Sequence, residues 1–324
     1  MSEEATQEST AVVERQARAR VKAANLANEA LHAPAKKANG ATILVVTFVA
    51  FLLVMSRDTD PIHIAIVVGV LLLHEGGHLL GMRAFGFSDL KMFFLPFFGA
   101  AVSGRKPGAS AVQRSIVSLL GPVPGIVIGL IAVSFVDIGD YPKTPMPIGA
   151  QIVLMLVLLN GFNLVPILPL DGGRLFQTLL FSRTPILDLL FRAAAVAVLG
   201  WVAFHGMPIF GVPAFFMLVG LRQQAKVAFE ARGLRRAYAF TPDVSALGVE
   251  ELAALHAAAE RATSHVRTAD ALKKRIVAQT VREIFDRVAL ATANWWQTTL
   301  LLLVWLLAIG AGLIALLVLY APMR

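Results

Sequence analysis

The chain contains no cysteine. That excludes a disulfide framework and any thiolate metal site. Charge is scarce as well: Asp, Glu, Lys and Arg make up only 15% of the 324 residues. The first residues are polar and charged and show no short signal-peptide pattern, so no cleaved leader is expected. What fills the chain instead is apolar, at 57% hydrophobic residues and a mean hydropathy of +0.70. A soluble fold of this length cannot bury that much apolar surface, which points to a polytopic membrane protein. The net charge of +8 then reads as cytosolic loops meeting anionic lipid. The bilayer is an expected partner and nucleic acid is not.

Crossing a bilayer takes about 20 apolar residues. Candidate spans are Ala41–Ser56, Pro61–Met82, Ile116–Val136, Ile148–Leu164, 186–204, 207–221 and Thr298–Tyr320. The fifth and sixth are separated by the sequence HGMP at 205–208. Lys and Arg gather in the N-terminal tail, between the second and third spans, after the fourth, and in 222–293. The alternate connections RDTD (57–60) and DIGDYPK (137–143) are short and not basic. The excess of positive charge on cytosolic loops therefore fits about seven transmembrane helices, with the N-terminus in the cytosol and the C-terminus outside.

This divides the chain into a cytosolic tail (1–40), a membrane domain (41–222), a cytosolic insert (223–293) and a C-terminal transmembrane helix (294–324). The tail reads either as a basic helix on the membrane surface or as a solvated segment. The insert has apolar residues at helical spacing and no strand pattern. It is expected to pack on itself or on a second copy in a homodimer, with substrate recognition as the alternative. The fold class is thus an all-α polytopic membrane protein with a helical cytosolic insert. Arg192, near the start of the fifth span, is expected to snorkel to the cytosolic face.

One polar cluster interrupts the second span. His74-Glu75-Gly76-Gly77-His78 is an H-E-x-x-H motif. On a helix, residues i and i+4 share a face, so both imidazoles can reach one zinc ion and the glutamate can act on a water there. Each ionisable group at bilayer depth costs at least about 2.5–3.5 kcal/mol. Three in one turn call for a bound partner. The other histidines (His32, His63, His205, His256 and His265) have no ligand-like spacing.

Catalytic zinc takes three protein ligands and leaves one position open. The segment NLVPILPLDGG (163–173) offers the third, Asp171, behind two prolines and ahead of two glycines. Prolines interrupt a helix and glycines allow a tight turn. Unwound backbone at membrane depth requires burial in protein or a wet cavity. The expected topology brings this segment and the end of the second span to the same side of the membrane. Asn163 could donate to a developing oxyanion or hold the substrate backbone, or it could bond between helices. Gly76 and Gly77 are expected to make room for the unwound segment or for a substrate.

Together these residues resemble the site-2 protease family of intramembrane zinc metalloproteases. The first motif is carried by His74, Glu75, Gly77 and His78. The second is carried by Asn163, Pro166, Pro169, Leu170, Asp171, Gly172, Gly173 and Arg174. LLGPVPG (119–125) resembles the family's glycine-proline element, although Gly125 stands where an Asn is common. The resemblance covers about 61–180 and implies a three-helix catalytic core. It implies one Zn2+ per chain on His74, His78 and Asp171, with Glu75 as general base. It further implies a single-span membrane-protein substrate that is locally unwound for cleavage.

KMFFLPFFGAAVSG (91–104) is apolar, interrupted by proline and too short to cross, so a re-entrant loop or hairpin is expected. The resemblance places a membrane-embedded hairpin here. Phe93, Phe94, Phe97 and Phe98 either line the substrate path or anchor the interface. Two other functions compete with proteolysis: a transporter, and a metal-binding regulatory protein that does not hydrolyse. The first predicts ionisable groups spread over several spans, and the second has no use for Glu75. A bacterial inner membrane, with the active site on the cytosolic side, fits the composition.

Overall fold

In the computed structural model, residues 3–33, 40–56, 59–95, 99–137 and 145–321 are described. Helix α1 (Glu3–His32) is followed by α2 (Gly40–Met55) and α3 (Pro61–Ala84), and α3 begins with its proline in the first turn, where no N–H is needed. Gly86, at φ +74°, turns the chain into an antiparallel hairpin of β1 (Ser88–Leu95) and β2 (Gly99–Arg105). A Ser110–Gln113 capping box starts α4 (Ala111–Leu120), and Pro122 restarts the chain as α5 (Pro122–Ala132). Then come α6 (Ile148–Asn163), α7 (Asp171–Leu179), α8 (Pro185–Phe204) and α9 (Gly211–Ala237). The chain ends with α10 (Val249–Thr263), α11 (Asp270–Val288) and α12 (Trp295–Tyr320).

Among the described residues the fold is therefore helical apart from one β-hairpin at 88–105, which stands where a re-entrant loop or hairpin was expected. Four helical segments among the described residues are long and apolar enough to cross a membrane: α3, Ala111–Phe135 through α4 and α5, α8 and α12. The other three expected spans fall short. Helices α2 and α6 have 16 residues each, or roughly 24 Å at the helical rise against a hydrocarbon core of about 30 Å. In α9 the apolar stretch ends at Arg222, the twelfth of its 27 residues.

Three apolar clusters organise the molecule. One joins α4, α5, α6, α7 and α12 around Ile126, Val153, Val157, Leu164, Leu175 and Ala315. A smaller one seats the hairpin on α2 and α3 through Phe51, Leu71 and Phe94. The third lies in the insert, where Leu255, Val281, Ile284 and Phe285 pack with Val227 of α9. Helix α1 belongs to that bundle, burying Ala24, Ala27, Ala30 and Leu31 against it. Arg105 at the end of β2 donates to the carbonyls of Leu31 and Ala33, and Arg282 donates to that of Ala30. These cations satisfy carbonyls left open at the C-terminus of α1.

Arg192 does not snorkel, contrary to expectation. It lies 3.2 Å from Asp188, which is buried at 1% exposure and also binds Arg287 of α11 and Gln177 of α7. A carboxylate at that depth holds its cations by charge, and Arg192 gains more from Asp188 than from distant headgroups. The Asp188 cluster ties the insert to the helix that begins with Asp171.

Candidate metal centre

Helix α3 is unbroken through the H-E-x-x-H motif, so His74 and His78 lie one turn apart on one face. Their rings meet edge-on with centroids 4.9 Å apart, and their Nε2 atoms are 3.2 Å apart. Asp171 opens α7 directly after the irregular segment 164–170. Its Oδ2 lies 3.1 Å from each Nε2. All three side chains are buried. The segment folds back so tightly that only glycine fits behind Asp171. A Cβ on Gly172 would sit 2.0 Å from the Leu164 carbonyl oxygen, and one on Gly173 would sit 2.4 Å from the Ile167 carbonyl.

The hydrogen bonds around the rings decide what the three atoms offer. His78 Nδ1 faces the Val117 carbonyl at 2.8 Å, which can only accept, so Nδ1 carries the proton. His74 Nδ1 faces Asn160 Oδ1 at 2.8 Å, and the Asn160 amide is oriented because its Nδ2 donates to the Leu156 carbonyl. In their neutral tautomers both rings would therefore turn an Nε2 lone pair towards Asp171. Two nitrogen lone pairs and a carboxylate oxygen converging at about 3 Å repel one another unless a cation joins them. These atoms lie close enough to hold one metal ion, and a set of two imidazoles and a carboxylate suits zinc. Glu75 is buried beside them, within electrostatic range of His74, His78, Asp171 and Arg174.

Glycines let the neighbouring helices come this close. A Cβ on Gly121, at the junction of α4 and α5, would lie 2.3 Å from His78 Nε2. One on Gly77 would lie 1.9 Å from the Leu120 carbonyl oxygen. Gly77 thus makes room for the LLGPVPG element, which corrects the expectation that it faces the 166–173 segment or a substrate. Gly76 has nothing within 4 Å of its Cβ position. Gly125 leaves space for Asn160, whose Nδ2 would be 2.1 Å from a Cβ there.

Asn160 is the residue that sequence reasoning missed. It is fully buried on a mostly apolar helix, and its depth in the apolar run 152–162 was the available signal. The motif drew attention to Asn163 instead, three residues on. Asn163 donates to the Leu159 carbonyl of its own helix and lines an apolar cavity of about 320 Å³. Among the residues around that cavity, Leu71 lies one turn before His74, Leu159 adjoins Asn160, and Leu170 adjoins Asp171. Asn160→Leu is expected to weaken zinc binding by about 10–100-fold, the usual cost of losing the group that orients a ligand histidine. Chelator competition measures it, and an unchanged affinity would show that His74 is oriented without Asn160.

Of the expected phenylalanine path, Phe93 and Phe94 lie in the described residues, on β1. Phe94 is buried against Phe48 and Phe51 of α2, with ring centroids 4.9 and 5.4 Å away, and its N–H donates to the Thr47 hydroxyl. Phe94 is a core residue because strand alternation turns it inward onto α2, while Phe93 points to the other face and is half-buried. Phe97 and Phe98 lie outside the described residues.

No protein-family model matches the chain. It is 28% identical over 147 residues to a zinc metalloprotease of Methanocaldococcus jannaschii, covering 43% of this chain and 42% of that protein. It is 32% identical over 115 residues to a Synechocystis sp. protein named provisionally as a zinc metalloprotease, covering 34% of this chain and 29% of that one. The chain thus spans less than half the length of these relatives. A solved site-2 protease from Methanocaldococcus jannaschii aligns at 21% identity and a TM-score of 0.40, covering 56% of this chain and 89% of that structure. The sequence relatives bear out the resemblance read from the two motifs.

Proposed function

We infer that this relative of zinc metalloproteases, with its two site-2 protease motifs, is an intramembrane endopeptidase. Its substrate is the transmembrane segment of another protein, cut in or near the bilayer in regulated intramembrane proteolysis. The observation that carries this reading is the convergence of two Nε2 lone pairs and the Asp171 carboxylate at 3.1–3.2 Å. Zinc bound there would polarise the scissile carbonyl and make a water nucleophilic near neutral pH. Glu75 takes the proton of the attacking water as the new C–O bond forms. It then delivers that proton to the amide nitrogen as the C–N bond breaks. The cavity beside Asn163 supports an apolar substrate: its walls are Phe51, Leu71, Leu159, Phe210 and similar side chains. Asn163 is the polar group there that can bind a peptide unit of the unwound segment. The hairpin 88–105, read as re-entrant, presents a strand to which an extended segment can add.

Purified protein is expected to hold about one zinc per chain, and Asp171→Ala to lose it. Metal-free wild-type protein in zinc-containing buffer would sink the reading. A transporter is disfavoured because its ion path would need unpaired ionisable groups on several spans, whereas the buried charges of α8, Asp188 and Arg192, pair with each other and with Arg287.

We retain seven crossings, with α2, α6 and the start of α9 as short spans and the metal centre near the cytosolic face of a bacterial inner membrane. The cysteine-free sequence makes the test clean. Single cysteines at Thr59 and Ala321 should react with an impermeant thiol reagent from outside intact cells, and one at Thr268 only after lysis. Labelling of Ala321→Cys solely after lysis would overturn the odd count.

A further inference from the structure

Through one side chain, the C-terminal helix touches the start of the metal-binding loop and the helix that follows it. Trp305 Nε1 donates to the Leu164 carbonyl at 2.8 Å, across 141 positions of sequence. That carbonyl stands where α6 ends and the irregular segment begins, so no helical partner is available to it. In apolar surroundings an unpaired carbonyl is costly. The indole ring also packs edge-on against Phe176, with centroids 4.9 Å apart and planes at 73°. Phe176 lies on α7, five positions after Asp171.

The same Leu164 oxygen lies against the backbone of Gly172, where a Cβ would come within 2.0 Å. It is therefore flanked by the indole N–H and by the residue that follows Asp171. A second tie fixes the far end of this unit. Arg183 lies 4.2 Å over the Trp295 ring and donates to the Thr298 hydroxyl and the Ala293 carbonyl. Close approach of α12 is allowed by Gly312, whose Cβ position is 3.2 Å from Ile126.

We propose that Trp305 is a positioning residue for Asp171: the C-terminal helix clamps the start of the 164–170 loop and the first turns of α7 into one rigid unit, which fixes the carboxylate between the two histidines. This rests on the metalloprotease reading. It makes α12 part of the metal centre, although the helix lies outside the span of the two motifs and contributes no ligand.

The test compares full-length wild type, Trp305→Phe, Phe176→Leu and Trp296→Phe in detergent. Trp305→Phe keeps an aromatic ring and removes the N–H. Phe176→Leu releases the clamp from the α7 side, and Trp296 is an exposed residue on the same helix. Chelator competition gives zinc affinity, thermal unfolding of the metal-free protein gives stability, and Co2+ loading gives the ligand-field absorption of the site. Trp305→Phe is expected to bind zinc about tenfold more weakly, the worth of one buried hydrogen bond. Its Co2+ bands should shift, Phe176→Leu should weaken binding in the same direction, and Trp296→Phe should match wild type. Unchanged zinc affinity in both clamp variants, with only the metal-free melting temperature lowered, would reduce Trp305 to packing and overturn the proposal. A wild type that binds no zinc would instead overturn the metalloprotease reading, and the proposal with it. Should Trp305→Phe fail to fold, Phe176→Leu decides alone.

Discussion

Glu75→Gln is expected to retain wild-type zinc content while cleavage of a co-expressed membrane substrate falls about 100–10,000-fold, the range a positioned general base contributes. Glutamine nearly matches glutamate in shape, so the burial of this side chain between His74 and Gly76 should be kept. What disappears is the ability to take a proton. Glu75 is not among the three converging ligand atoms, which is why metal content and activity should separate. Zinc measured by atomic absorption and cleavage measured by immunoblot on the same preparation are sufficient. Residual cleavage within tenfold of wild type would mean that another group moves the proton.

The second large effect comes from a single methyl group. Gly121→Ala should weaken zinc binding at least about tenfold, because a Cβ there lies 2.3 Å from His78 Nε2 and must displace that ring. Overpacking of this kind costs about 1–3 kcal/mol. The ring has no simple escape, since its Nδ1 is held by the Val117 carbonyl. Gly121 has right-handed helical dihedrals, so alanine brings no backbone strain. Gly77→Ala tests the same junction from the other helix, where the obstacle is the Leu120 backbone. Chelator competition reads both variants, and a Gly121→Ala protein with wild-type affinity would refute the steric account.

The metal centre was legible in the sequence because its chemistry depends on residue type and spacing. His74 and His78 share a face through helical periodicity alone. Asp171 was marked by prolines and glycines that have little place in an ordinary span. What surrounds the centre was less legible, because it depends on which helix touches which. The pairing of Asn160 with Gly125, and the indole of Trp305 on the Leu164 carbonyl, join positions whose proximity no local pattern encodes. A re-entrant loop or hairpin was anticipated at 91–104, but not the strand alternation that places Phe94 in the core. Asp188 stands in the first turn of α8 with no motif around it. Its buried carboxylate is bound by Arg287, 99 positions away.

The packing of α1 also has a consequence in time. Its buried face waits for α10 and α11, which lie about 200 residues further along the chain. At synthesis rates of roughly 5–20 residues per second, that is an interval of about 10–40 seconds. Throughout it, the face that will pack against the bundle has no partner. Three of its four buried positions are alanines (Ala24, Ala27 and Ala30), with Leu31 as the single large side chain. So small an apolar stripe offers little for other nascent chains to seize while the last part of the bundle is still being made.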